Sequence, residues 1–266
     1  MLYDSTWVED MPAGNGFRHI GLARALSKLG YCSRSHACDL IKEGRVALNG
    51  ATQYDPEYPV GMDRTHTPNC ILKVDGKRVL AARKAYLMLN KPRGYVATAS
   101  DEKGRSTIYD LLEADLPWLG PVGRLDKASE GLLLLTNDSE WAARVLAPET
   151  HLEKTYHVQV RGVLHDETRL LPALLKGKRE ENGKLLRVKQ ASILRHGGQN
   201  TWLEIVLDEG KNRHIRRLLE SFQIEVLRLV RTAIGPLALG ELRKGTARSL
   251  SFVEKKQLDT AMGSMR

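Results

Sequence analysis

The sequence predicts an α+β protein in two parts: a small basic helical module, then a larger domain on a mixed, mainly antiparallel sheet flanked by helices. Three observations carry this. Apolar residues recur at helical spacing from Ile20 to Ile41, then give way to short strand patterns. Beyond residue 84, strands and helices mix without a regular strand–helix–strand rhythm, which argues against a doubly wound parallel sheet. Charge is also lopsided, with 41 Lys and Arg against 32 Asp and Glu, a formal net charge of +9.

Excess cations suit a polyanionic partner, either nucleic acid or an acidic membrane surface. No run of 18 apolar residues is present, so no bilayer-spanning helix is expected. Asp4, Glu9 and Asp10 stand where a secretory signal would be basic and then apolar. Nucleic acid therefore ranks ahead of membrane, in the cytoplasm. Cys32, Cys38 and Cys70 fit a reducing compartment. Cys32-x3-His36-x-Cys38 lacks a second ligand pair at finger spacing and sits on a helical pattern, so packing thiols are expected and no metal. No phosphate-binding lysine loop, dinucleotide glycine fingerprint or G-x-S-x-G elbow occurs, so no cofactor is expected.

In chain order, residues 1–17 lack periodicity and contain Pro12, Gly14 and Gly16, the mark of a loose leader. Leu22, Ala25, Leu26 and Leu29 form one helical face, with Gly30 as its stop. Ser33 or Ser35 can cap a second helix carrying Ala37, Leu40 and Ile41, which Gly44 ends. A strand at Arg45–Asn49 meets an Asn49-Gly50 turn. The prolines and turns over 52–82, with a strand at Cys70–Val74, read as the end of this module, residues 18–80, and a linker. The larger domain runs over 84–254. It holds strands at Tyr86–Asn90, Leu132–Leu135, Tyr156–Val160, Trp202–Leu207 and Ile224–Val230. Its helices fall at Ser139–Leu146, capped by Asn137 or Asp138, and at about 211–222. Residues 255–266 read as a flexible tail.

The polar faces of the first two helices are nearly all cationic, with Arg24, Lys28, Arg34 and Arg45 opposed only by Asp39 and Glu43. A merely soluble surface mixes signs. The run Ala23-Arg24-Ala25-Leu26 through Gly44-Arg45-Val46, within residues 18–65, resembles the α-L RNA-binding module. That resemblance implies a grip on structured RNA through phosphates rather than base edges.

Gly123-Arg124-Leu125-Asp126 followed by Ser129-Glu130-Gly131 and four leucines sets one carboxylate in a glycine-bounded loop ahead of a fully apolar strand. Such an Asp can simply make a turn or cap amides. It can also be a nucleophile, provided a cation keeps it ionised beside the leucines. Lys211, Asn212, Arg213, His214, Arg216 and Arg217 cluster where a helix starts, against the macrodipole, which suits an anion there. Tyr156 is either a plain strand aromatic or a platform for an extruded base.

Five stretches in order resemble the ribosomal RNA pseudouridine synthases of the Rsu type: Leu89-Asn90-Lys91-Pro92-Arg93-Gly94, the Asp126 loop, Lys154-Thr155-Tyr156-His157-Val158, Gly210–Leu218 and Leu229–Gly235. The resemblance implies Asp126 as nucleophile, Tyr156 as base-stacking residue, Arg216 as the cation paired with Asp126, and Leu229 as the apolar wall of a uracil pocket. It further implies RNA contacts from Arg24, Lys28, Arg34, Arg45, Arg124, Lys211, Asn212 and Arg213. The partner is then ribosomal RNA, large-subunit RNA ahead of small, bound by a monomer. His214 stands where glutamine is common in that family. Two alternatives are a catalytically silent ribosome assembly factor and an RNA glycosidase. The latter needs a second carboxylate, and Glu130 is the one close by in sequence.

Overall fold

A computed structural model describes residues 17–63, 67–98, 104–164 and 167–263. The expected leader lies outside the described residues except for Phe17. The chain divides into two compact units, residues 1–82 and 83–266.

In the first unit, β1 (Arg18–Gly21) leads into α1 (Leu22–Lys28) and α2 (Arg34–Lys42). Ser33 caps α2, its hydroxyl accepting from the His36 amide at 3.1 Å. β2 (Val46–Leu48) and β3 (Ala51–Gln53) form a hairpin. Its turn puts Asn49 at φ 47° and Gly50 at φ 93°, the left-handed pair that a two-residue hairpin needs. β4 (Pro59–Met62) pairs with β1, and β5 (Leu72–Val74) and β6 (Lys77–Arg78) complete a sheet ordered β3-β2-β5-β6. The strand expected at 70–74 is β5, while β3, β4 and β6 add strands that the sequence reading did not name, and Val60, Leu72 and Val74 close the core against Leu22, Leu26, Leu40 and Ile41. Cys32 packs in the same core, where burial pushes its thiol up to about 11.

The second unit contains β7 (Tyr86–Lys91), β8 (Gly120–Val122), β9 (Glu130–Thr136), α3 (Ser139–Leu146) and β10 (Lys154–Arg161). α4 (Glu167–Lys176) and the short hairpin β11 (Lys178–Arg179) and β12 (Leu185–Leu186) follow. Then come β13 (Gln190–His196), β14 (Asn200–Leu207), α5 (His214–Glu220) and β15 (Val226–Ile234). β16 (Leu237–Ala238), β17 (Ala247–Ser249) and α6 (Phe252–Gly263) end the unit. The main sheet runs β13-β14-β10-β15-β9-β7-β17, with β16 on β15 and β8 on β9. All its pairings are antiparallel except β15 with β9. The fold is α+β, as the mixed rhythm of the sequence predicts.

The apolar run of β9 follows from burial on both faces. Leu132 and Leu134 pack with Met88, Trp141 and Leu258, while Leu133 and Leu135 pack with Leu89, Leu119 and Leu125. β7 takes one edge of β9 along 131–136. The other edge is shared: β15 pairs with residues 130–131 and β8 with residues 134–136. The sheet therefore parts around Leu132 and Leu133.

Two sequence expectations need correction. α5 begins at His214 rather than near 211, because Arg213 adopts φ 47° and cannot continue a right-handed turn. Residues 255–263, expected as a flexible tail, belong to α6. Leu258 is fully buried there, and Trp141 donates its indole N–H to Asp259 at 2.8 Å.

Candidate active site

The loop at 123–129 joins β8 to β9 at the point where the sheet parts, and its main chain is held from outside along four successive carbonyls. Asp126 O accepts from the Lys91 ammonium at 3.2 Å and from the Ser129 amide at 2.9 Å. Lys127 O accepts from the Gly94 amide at 2.8 Å, Ala128 O from Arg216 Nη2 at 3.1 Å, and Ser129 O from Lys91 at 2.9 Å. Gly131, at φ 101°, follows the loop, and a Cβ there would lie 2.2 Å from the Arg231 carbonyl. Only glycine lets β15 approach β9 at this point.

Lys91 is fully buried and also donates to Pro92 O at 3.1 Å. Burial pulls its pKa down to about 8, against the attraction of Glu130 and Asp126. Glu130 is buried as well and takes both Arg228 (2.9 and 3.1 Å) and Lys244 on its carboxylate. Burial alone would raise its pKa, yet these two donors hold it below the usual carboxylate range. It is a strut between strands, committed to two cations.

The Asp126 side chain, half-buried, faces a cavity of about 460 Å³ lined by Tyr156, Leu229, Arg231, Lys154 and His214 among others. Strand periodicity assembles these walls. On β10, Lys154 and Tyr156 are two apart; on β15, Leu229 and Arg231 are two apart; and Tyr156 pairs with Arg231. A bulge at Thr232 adds one residue and returns Ile234 to the cavity side. Arg124, Lys211, Asn212 and Arg213 line the same cavity, with Arg124, Asn212 and Arg213 exposed. Lys211 is tied down, donating to Leu185 O at 2.7 Å and pairing with Glu209. His214 is buried, its Nδ1 3.6 Å from the Glu209 carboxylate, and burial lowers its pKa.

Arg216 departs from expectation. Its guanidinium donates to the carbonyls of Ala128 and Val226 (3.1 and 3.3 Å) rather than pairing directly with the Asp126 carboxylate. Burial lowers its pKa, and Asp126 opposes this through space. Of the expected RNA contacts in the first unit, Arg24 and Arg34 are exposed, whereas Arg45 is engaged by Asp75 in two bonds of 2.8 and 2.6 Å. Lys91, Lys154 and Arg231 were not foreseen as site residues. Their signal was present: a lysine ending an apolar strand, and cations two residues from Tyr156 and Leu229 on the same strand faces.

A cavity with one loop-mounted carboxylate, a tyrosine, a leucine wall and the cations Lys154 and Arg231 suits an enzyme acting on an anionic, aromatic substrate. The RNA pseudouridylate synthase family model matches residues 85–221, and the S4 domain model matches residues 20–64. The chain belongs to the RNA pseudouridylate synthase family. It is 39% identical to an uncharacterised RNA pseudouridine synthase of Aquifex aeolicus, over 92% of this chain and 95% of that one. It is 36% identical to ribosomal large subunit pseudouridine synthase B of Bacillus subtilis, over 89% of this chain and 94% of that one. A crystal structure of a pseudouridylate synthase superimposes with a TM-score of 0.59 at 28% identity, covering 90% of this chain and 99% of that one.

Proposed function

We propose that this enzyme isomerises one uridine of large-subunit ribosomal RNA to pseudouridine, with Asp126 as the nucleophile. The observation that carries this is the single carboxylate on a main-chain-clamped loop, facing Tyr156 and Leu229 in one cavity. The reaction breaks the bond from the anomeric carbon to ring N1, turns the base, and rejoins it through C5; the C5 proton leaves and N1 gains one. A detached uracil must not escape meanwhile. Stacking on Tyr156 with Leu229 opposite holds it. Asp126 acts on the anomeric carbon or on ring C6, or assists elimination at the sugar; each route needs an ionised carboxylate in one fixed place. Arg216 positions that carboxylate by holding the Ala128 carbonyl.

The uridine must leave its stack, at a cost of a few kcal/mol. Phosphate contacts from Arg124, Asn212 and Arg213 at the cavity, and from Arg24, Lys28 and Arg34 on the first unit, offset this. No outside atom enters and no net redox change occurs, so the chemistry calls for no cofactor. A monomer acting in the cytoplasm completes this reading. No helix among the described residues is long and apolar enough to cross a membrane. Glycosidic cleavage is a poorer fit, since Glu130, the second carboxylate it would use, is bound to Arg228 and Lys244.

Mapping pseudouridines across ribosomal RNA from cells with and without the gene tests the substrate. One large-subunit site should disappear in the mutant. Restoring the gene as Asp126→Asn should leave that site unmodified while RNA affinity stays within a few fold. Modification at the wild-type level by Asp126→Asn would overturn the mechanism.

A further inference from the structure

Negative charge must appear on the base in every route open to this site. When the C1′–N1 bond breaks, its electron pair stays with the uracil and spreads over N1, O2 and O4. If a carboxylate adds to C6 instead, the pair displaced from the C5–C6 double bond moves through C4 to O4. Tyrosine and leucine walls alone have nothing to offer that charge. The cavity does contain something else.

Arg231 is 6% exposed and lines the cavity on the same face of β15 as Leu229. Its Nε donates to the Leu132 carbonyl at 2.7 Å. Leu132 lies where β15 and β8 leave the edge of β9, so this bond takes up a carbonyl that the parted sheet would leave open. The guanidinium is thereby pinned by one edge. Its Nη2 is buried with no partner among the described residues. A buried guanidinium nitrogen without an acceptor costs free energy in the resting protein and implies an acceptor in the working complex. Lys154 lines the same cavity, two residues before Tyr156, and burial together with the repulsion of Arg231 lowers its pKa. Two cations crowded into one cavity form an anion site, not a structural pair.

We infer that Arg231 and Lys154 form a receptor for the uracil oxygens, receiving the negative charge that develops on the base while it is detached. The inference rests on the reading of this cavity as a uridine isomerase. The step balances without any further reagent. The C1′–N1 bond breaks with its pair going to the ring, and the two cations stabilise O2 and O4 while the base turns. C5 then attacks the anomeric carbon, and the C5 proton departs as N1 is protonated.

A phosphate of the flipped nucleotide is the competing occupant, and the two leave different signatures. The test uses full-length enzyme and an RNA fragment carrying the mapped uridine, with single-turnover rates at saturating enzyme and Kd measured across a salt series. For the base oxygens, Arg231→Met should slow the single-turnover step about 100-fold or more, the loss typical of an oxyanion donor. Kd should stay within about threefold and the salt slope should not move. Arg231→Lys should regain part of the rate. Lys154→Met, the second variant should Arg231→Met fail to fold, should slow the same step about tenfold. Placing 4-thiouridine or 2-thiouridine at the target should slow wild type, and Arg231→Met should flatten that difference. A wild-type rate in both Met variants overturns the inference. So does a salt slope that falls by about one with the saturated rate unchanged, since that marks a phosphate contact. If wild-type enzyme forms no pseudouridine on the RNA, the underlying functional reading fails, and this inference with it.

Discussion

The Lys91 ammonium meets Asp126 through the main chain: Nζ donates to the Asp126 carbonyl at 3.2 Å, and the carboxylate is left facing the cavity. The same ammonium bonds Ser129 O and Pro92 O, so one buried charge ties the end of β7 to both sides of the loop. It therefore reads as a positioning residue. Lys91→Met should lower turnover at least about tenfold through misplacement of Asp126. It also changes pH dependence. The folded pKa, about 8, lies below the ordinary 10.5, so the fold penalises the charged form. That penalty is fully present below pH 8 and is relieved as pH rises from about 8 to 10.5, where the unfolded chain binds the extra proton. Urea titrations should show stability of wild type relative to Lys91→Met rising across that window. A difference flat with pH would mean that the ammonium does not titrate there.

Arg216→Ala should reduce activity about 100-fold or more while the melting temperature falls by only a few degrees. The guanidinium holds Ala128 O and Val226 O, and the Lys91 and Gly94 bonds to the loop survive its loss. An unchanged rate would assign the loop's electrostatics to Lys91 or Arg231 instead.

Glu130→Gln should weaken the fold by about 1–3 kcal/mol at neutral pH, because a buried carboxylate with two cationic donors is lost. Its folded pKa is depressed, so the contribution is fully present above the unfolded value of about 4.3 and is lost as pH falls through the folded one. The gap between wild type and variant in denaturant titrations should therefore close below about pH 4. The product should still be pseudouridine with no free uracil; free uracil from wild type but not the variant would revive the glycosidase reading.

Arg24→Ala with Arg34→Ala should weaken RNA binding and lower the slope of log Kd against log salt by roughly 1.5–2, one contact for each cation. Arg45→Ala should behave differently. Its guanidinium is engaged by Asp75 and Glu43 on the surface, so neither the slope nor the melting temperature should move measurably.

Much of this was legible from local chemistry. The Asn49-Gly50 turn, the Ser33 and Asp138 caps and the apolar β9 each follow from the residues that form them. Tyr156 and Leu229 could be paired in advance by motif order. What sequence hid was long-range. The tail reads as polar and frayed, yet Leu258 finds a core built mostly from residues over a hundred positions earlier. Arg216 looks like a simple counter-ion until the distances show it gripping main chain. Lys91 and Arg231 sit within recognisable motifs, but their burial depends on how β7, β9 and β15 meet, which no local pattern records.

The parting of β15 and β8 along one edge of β9 has a kinetic consequence. An opening framed by two ladders of backbone hydrogen bonds belongs to the scaffold and stands ready before any ligand arrives. Little adjustment of the protein is then left to discriminate among encounters, and the slow, selective event moves into the nucleic acid. Uridines already loose in bulges or loops should be captured fastest, and a firmly stacked one should wait on its own helix to breathe.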